Sequence, residues 1–87
     1  MPKGKKKKFN GEGQQLSHQV SKSVQKYFNL LDGEPAKGVY EMVIKEVELP
    51  LLEIVMKQCN NNQTRASEML GINRGTLRTK LKEYKLI

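Results

Sequence analysis

The sequence predicts an all-α fold whose last third is a helix-turn-helix, and three observations carry that prediction. Apolar residues recur at spacings of three and four through most of residues 16–87, as they must on one face of a helix with 3.6 residues per turn. No strand-like alternation or hairpin signal interrupts them. Glycine and asparagine stand where each apolar stripe stops, and these residues end and cap helices.

Taken in order, residues 1–15, MPKGKKKKFNGEGQQ, contain three glycines, one proline, five lysines and Phe9 as the one large apolar residue beyond the initiator. Such a segment cannot bury enough surface to offset chain entropy, and it reads as a disordered basic tail. Leu16, Val20, Val24, Tyr27, Phe28 and Leu31 then form one stripe of an amphipathic helix over about 16–32, stopped by Asp32–Gly33. Pro35 and Gly38 belong to a short linker. Residues 39–59 carry two stripes, one through Tyr40, Val43, Val47, Leu51, Ile54 and Val55, the other through Val39, Met42, Leu49, Leu52, Met56 and Cys59. A helix apolar on two faces needs two partners, the second being the same helix of another subunit. Pro50 removes a backbone donor and crowds the carbonyl of Glu46; because the stripes resume at once, a kink is expected there.

Asn60-Asn61-Asn62 is a turn in which Asn62 caps a helix from about Gln63 to Leu70, with Ala66, Met69 and Leu70 facing inward. In Gly71-Ile72-Asn73, glycine supplies a positive φ, Ile72 plugs the core and Asn73 caps the last helix. That helix runs from about Arg74 to Tyr84 and buries Leu77, Leu81 and Tyr84. Residues 16–62 would serve dimerisation, and residues 63–87 would form the helix-turn-helix.

The chain has 87 residues, enough for one domain. A core of that size rarely supplies more than roughly 3–5 kcal/mol without a staple. One cysteine, Cys59, and one histidine, His18, allow neither an internal disulfide nor a common zinc site, so oligomerisation is the expected staple. Cys59 reads as a small buried apolar residue and His18 as inert. The net charge is +7, and it is unevenly placed. Lys3 and Lys5–Lys8 make one end basic, and Arg65, Arg74, Arg78, Lys80, Lys82 and Lys85 the other. Glu41, Glu46, Glu48 and Glu53 make the middle acidic and read as a solvated face. A polyanion would meet the ends. No apolar run reaches the roughly 18–20 residues of a membrane span, and no apolar stretch follows the basic start, so neither membrane nor signal peptide is expected. No nucleophile with its base, metal cluster or phosphate loop is present; no enzyme, cofactor or small-molecule substrate is expected.

Two short helices joined through a glycine turn place the N-terminus of the second in the major groove of DNA. Asn73 and Arg74 lie at that tip: arginine bonds a guanine edge in bidentate fashion and asparagine contacts base edges. Thr76, Arg78, Lys80 and Lys82 flank them, positioned for phosphates. Asn62 and Thr64 start the preceding helix, whose free donors make a phosphate site.

The runs YEMVIKEVELPLLEIVMKQ and NNQTRASEMLGINRGTLRTKLKEY, with the internal proline and the NQTRA and GINRGTLR blocks, resemble the Fis family of bacterial nucleoid-associated DNA-binding proteins. The match is close over residues 40–84 and, with a weaker first helix, covers about 16–87. The resemblance implies a four-helix subunit, an intertwined homodimer, and bent double-stranded DNA, because the family's two recognition helices are too close for successive grooves of straight DNA. It implies a transcriptional regulator of the cytoplasm and bacterial nucleoid. Carried over, Asn73 and Arg74 read bases; Asn62, Thr64, Thr76 and Arg78 contact phosphates; Lys80 and Lys82 support the flanks. Asn60 and Asn61 stand where the family has arginine and glycine, and Thr79 and Glu83 where it has lysines, so the flanking wraps would differ. A lysine tail replaces the family's recombinase-touching arm, which argues against a recombinase contact and for nonspecific DNA affinity. The alternatives are a Fis-like output domain of a transcription activator and a dimeric helical adaptor. RNA binding is disfavoured because the tyrosines fall on apolar stripes rather than on a stacking surface.

Overall fold

The computed structural model describes the backbone of residues 10–87 and the side chains of residues 15–87. The described residues form four helices: α1 (Asn10–Leu31), α2 (Val39–Gln58), α3 (Gln63–Leu70) and α4 (Arg74–Glu83). There is no strand among them, so the fold is all-α as the periodicity requires. Two compact units divide the chain, one ending at Lys37 and the other spanning Gly38–Ile87.

The first unit's described part is α1. It begins at Asn10, within the stretch read from composition as an unstructured tail. Once a helical nucleus exists, each added residue brings one more backbone hydrogen bond, and here that outweighs two glycines. The lysines of residues 3–8 lie outside the described residues. Along α1, Val20, Val24, Tyr27 and Leu31 are half-buried while Leu16 and Phe28 are exposed. The Tyr27 and Phe28 rings meet edge to face, 5.7 Å between centroids. After Leu31 the chain turns through Asp32 (φ 50°) and Gly33 (φ 91°), at the expected stop.

In the second unit, α2 continues through Pro50 without ending. Its C-terminal half supplies Leu52, Val55, Met56 and Cys59 to a core that Ala66 of α3 and Leu77 and Leu81 of α4 complete. Leu70, Ile72, Tyr84 and Leu86 pack around it. Cys59 is fully buried, as expected of a small apolar residue. Val39, Val43, Val47 and Leu49 of α2 are half-buried, while Tyr40 is 81% exposed, Ile54 60% and Leu51 45%. Tyr40 is thus not a core residue of the subunit. Met69, expected inside, is 56% exposed, although its Sδ lies 3.9 Å from Cys59 Sγ. An eight-residue helix wedged against two others buries a narrow stripe, and Ala66 with Leu70 fills it.

One terminal device recurs three times. Asn61 N–H donates to the Met56 carbonyl (2.8 Å) and Asn60 N–H to Lys57 (3.1 Å). Ile72 N–H donates to Ser67 (3.0 Å) and Gly71 N–H to Glu68 (3.2 Å). Leu86 N–H donates to Leu81 (2.8 Å) and Lys85 N–H to Lys82 (3.0 Å). These paired bonds are Schellman motifs, which satisfy carbonyls a helix end leaves free and need a left-handed residue at the turn. Asn60 (φ 50°), Gly71 (φ 74°) and Lys85 (φ 58°) supply it.

Candidate nucleic-acid interface

The start of α4 is built by Asn73. Its backbone is extended (φ −65°, ψ 141°), and its Oδ1 accepts from Gly75 N–H at 2.7 Å and Thr76 N–H at 3.3 Å. Two of the four donors a helix start leaves free are thereby satisfied. Because the oxygen faces the backbone, the amide NH2 is the end of Asn73 available to a ligand. It can donate to an acceptor; it cannot make the two-way bond to adenine without giving up the cap. Gly75, which the sequence reading passed over, makes room for this arrangement. A Cβ there would lie 3.1 Å from Asn73 Oδ1. The available signal was a glycine in a helix's first turn, which costs about 1 kcal/mol relative to alanine unless something requires it.

Asn62 does the same for α3. Its side chain accepts from Arg65 N–H at 3.0 Å and its carbonyl from Ala66 N–H at 2.9 Å. Thr64 is exposed, and its carbonyl accepts from the Ser67 hydroxyl (2.8 Å), which keeps that buried hydroxyl satisfied.

Around α4, 100° per residue separates two faces. Leu77, Leu81 and Tyr84 pack inward. Arg74, Arg78 and Lys82, each four residues from the next, form an exposed cationic stripe along another side. Neither arginine has a hydrogen-bond or ion-pair partner among the described residues. Like charges at that spacing repel by a few tenths of a kcal/mol per pair, a cost that a facing anion would offset. Thr76 is exposed beside the tip, its own N–H held by Asn73. Thr79 turns its hydroxyl back to the Gly75 carbonyl at 3.0 Å.

Lys80, read from sequence as a phosphate contact, has a partner within the subunit. It follows Leu77 by three and precedes Tyr84 by four, which sets it at the edge of the buried stripe. Its Nζ lies 2.8 Å from Glu48 Oε2, and the Tyr84 hydroxyl donates to Glu48 Oε1 at 2.7 Å. Glu48, expected on a solvated face, is instead the partly buried acceptor of both. Hydrogen bonds from Lys80 and then Tyr84 hold its carboxyl below the usual carboxylate range. The same contact raises the Lys80 ammonium and pushes the Tyr84 phenol up to about 12. Glu48 and Tyr84 are 36 residues apart, so no local spacing announces this contact. Of the site residues read from sequence, Asn73, Arg74, Thr76, Arg78 and Lys82 are exposed on α4 or at its cap, Asn62 and Thr64 lie at the start of α3, and Lys80 is engaged within the subunit. No group of three metal-ligating side chains occurs among the described residues, and none of their helices is long and apolar enough to cross a membrane.

The sequence profile of the bacterial regulatory protein Fis family matches residues 43–84, which contain most of α2 and all of α3 and α4. A Pseudomonas aeruginosa protein described as Fis-like and DNA-binding is 57% identical to this chain over 76 residues, covering 87% of this chain and 73% of that protein. With the resemblance reaching beyond the helix-turn-helix into most of both chains, this chain belongs to the Fis family of bacterial regulatory proteins.

Proposed function

We propose that this chain is a sequence-tolerant DNA-binding and DNA-bending protein of the bacterial nucleoid, a transcriptional regulator that acts as a homodimer in the cytoplasm. One observation carries the reading. One exposed side of α4 is the cationic stripe Arg74, Arg78 and Lys82, and it begins at a capped helix N-terminus, the end that a helix-turn-helix presents to the major groove. In this reading Arg74 bonds guanine, and the Asn73 amide donates to a base-edge acceptor. Asn62, Thr64, Thr76, Arg78 and Lys82 meet phosphates.

The homodimer reading rests on α2. Tyr40, Ile44, Leu51 and Ile54 are open to solvent along one face of α2 on one subunit, an apolar row of the kind that marks an interaction surface, and in this reading an identical helix covers it by symmetry. With the two recognition helices as closely spaced as the family resemblance implies, they would reach successive grooves only on curved DNA, so specificity would include the ease of bending the untouched centre.

Fluorescence anisotropy with duplexes of about 30 base pairs tests this. Guanines spaced for a dimer would flank either an A·T-rich or a G·C-rich centre. Tighter binding to the A·T-rich centre is expected. If about 6–10 phosphates are neutralised, affinity should fall about 10³–10⁵-fold between 50 and 200 mM salt. Arg74→Ala should cost about 1–3 kcal/mol per guanine contact. A folded dimer that binds neither duplex at low salt would overturn the reading and leave a helical adaptor in its place.

A further inference from the structure

The cluster of Glu48, Lys80 and Tyr84 sits where α4 leaves the core, and it differs from everything else holding α4. The contacts of Leu77 and Leu81 are apolar and non-directional. They set which face of the helix is buried. Glu48 adds directional bonds to that packing. One carboxylate on α2 takes a bond at each oxygen, 2.7 Å to the Tyr84 hydroxyl and 2.8 Å to the Lys80 ammonium. The two donors, Lys80 on α4 and Tyr84 at its C-cap, are one helical turn apart, so together they restrict both its rotation and its axial position. Bonds to an ionised group are short and directional. With side-chain exposures of 32% for Lys80 and 19% for Glu48, the pair is at the rim of the core, where solvent screening keeps its contribution to stability small. Its consequence is direction.

Resting on the DNA-binding reading, we propose that Lys80 is a positioning residue and not a phosphate contact: clamped by Glu48 beside Tyr84, it sets the rotation of α4 and thereby aims Arg74 at its base. A phosphate engaging a spare proton of Lys80 would come up against the Glu48 carboxylate that already neutralises it at 2.8 Å, whereas Arg74, Arg78 and Lys82 are unpaired among the described residues and offer full charges. The +7 chain thus spends one of its α4 cations on internal geometry.

The full-length chain tests this with two readouts, the slope of log affinity against log salt and the preference for guanine over adenine at the base facing Arg74. Each phosphate contact contributes about 0.9 to the slope on duplex DNA. Lys80→Met is expected to leave the slope unchanged and to lower the guanine preference roughly 3–10-fold, part of the range one good base contact supplies. Glu48→Gln, which keeps an acceptor for Tyr84, should lower the preference in the same way. Lys80→Arg, which can still pair with Glu48, should restore it. Helicity and melting of each variant show that it is folded. A slope made shallower by about 0.9 per contact in Lys80→Met would make Lys80 a phosphate ligand and overturn the proposal. An unchanged guanine preference in both Lys80→Met and Glu48→Gln would overturn it equally. Arg74→Ala and Arg78→Ala separate the two levels of inference. If they alter preference and slope respectively while Lys80→Met flattens the slope, only the positioning role fails. If neither arginine matters, the DNA-binding reading itself fails.

Discussion

Replacing Asn73 separates two tasks that one side chain performs. Its oxygen caps α4 through Gly75 N–H (2.7 Å) and Thr76 N–H (3.3 Å), while its NH2 is free for a base. Asn73→Ala removes both. Loss of such a cap costs about 1 kcal/mol, within a range of roughly 0.5–2, and α4 has only ten residues over which to absorb it. For a domain of this size that corresponds to a fall of roughly 4–8 °C in Tm per kcal/mol. Asn73→Asp keeps the acceptor and adds a negative charge at a helix N-terminus, where the helix dipole favours it by about 0.3–1 kcal/mol. It should therefore melt at or slightly above the parent temperature. The same carboxylate has no donor and would face phosphates, so DNA affinity should fall at least about tenfold, from a lost hydrogen bond and the added repulsion. Circular-dichroism melting and anisotropy titration of the two variants read the two tasks independently. An Asp variant as unstable as the Ala variant would refute the cap assignment. An Asp variant that binds DNA as the parent does would refute the base-facing role of the amide.

Other outcomes follow from the same geometry. Leu81 is fully buried among Leu52, Leu77 and Cys59, and Leu81→Ala should destabilise the second unit by about 2–5 kcal/mol in urea unfolding. Ile54→Lys, at a side chain 60% exposed in the single chain, should leave helicity intact and shift sedimentation from dimer to monomer if α2 is the subunit contact. Glu48, held below its ordinary value of 4.5, contributes stability at neutral pH that is lost as pH falls through its depressed folded-state value. Glu48→Gln should flatten the acid limb of stability against pH. Tyr84, raised from 10.0 to about 12, binds its proton more tightly when folded, so its contribution persists below about pH 10 and disappears as pH rises toward 12. Tyr84→Phe should remove that alkaline dependence.

What residues 16–87 determined by themselves was local. Helix existence followed from apolar periodicity, and α2, α3 and α4 lie within a residue or so of their expected ends. Their ends follow from neighbours: Asn62 and Asn73 cap within three residues, and Gly71 turns left-handed because it lacks a Cβ. The site's cationic stripe is legible for the same reason, since residues four apart share a helix face. Composition judged the stretch from Asn10 to Gln15 less well, because helix propagation depends on what a segment is attached to as well as on what it contains.

The tertiary structure decided which face wins when a helix offers two. On α2 both stripes are apolar, and only packing against α3 and α4 selected Leu52, Val55, Met56 and Cys59 for the core and left Tyr40 and Ile54 open. It also drew Lys80 out of the set of free cations. The carboxylate that binds Lys80 comes from another helix, and Glu48 and Tyr84 meet across 36 residues. Charge in a sequence states how many cations a helix carries; which of them remain free for a partner depends on what folding brings within about 3 Å.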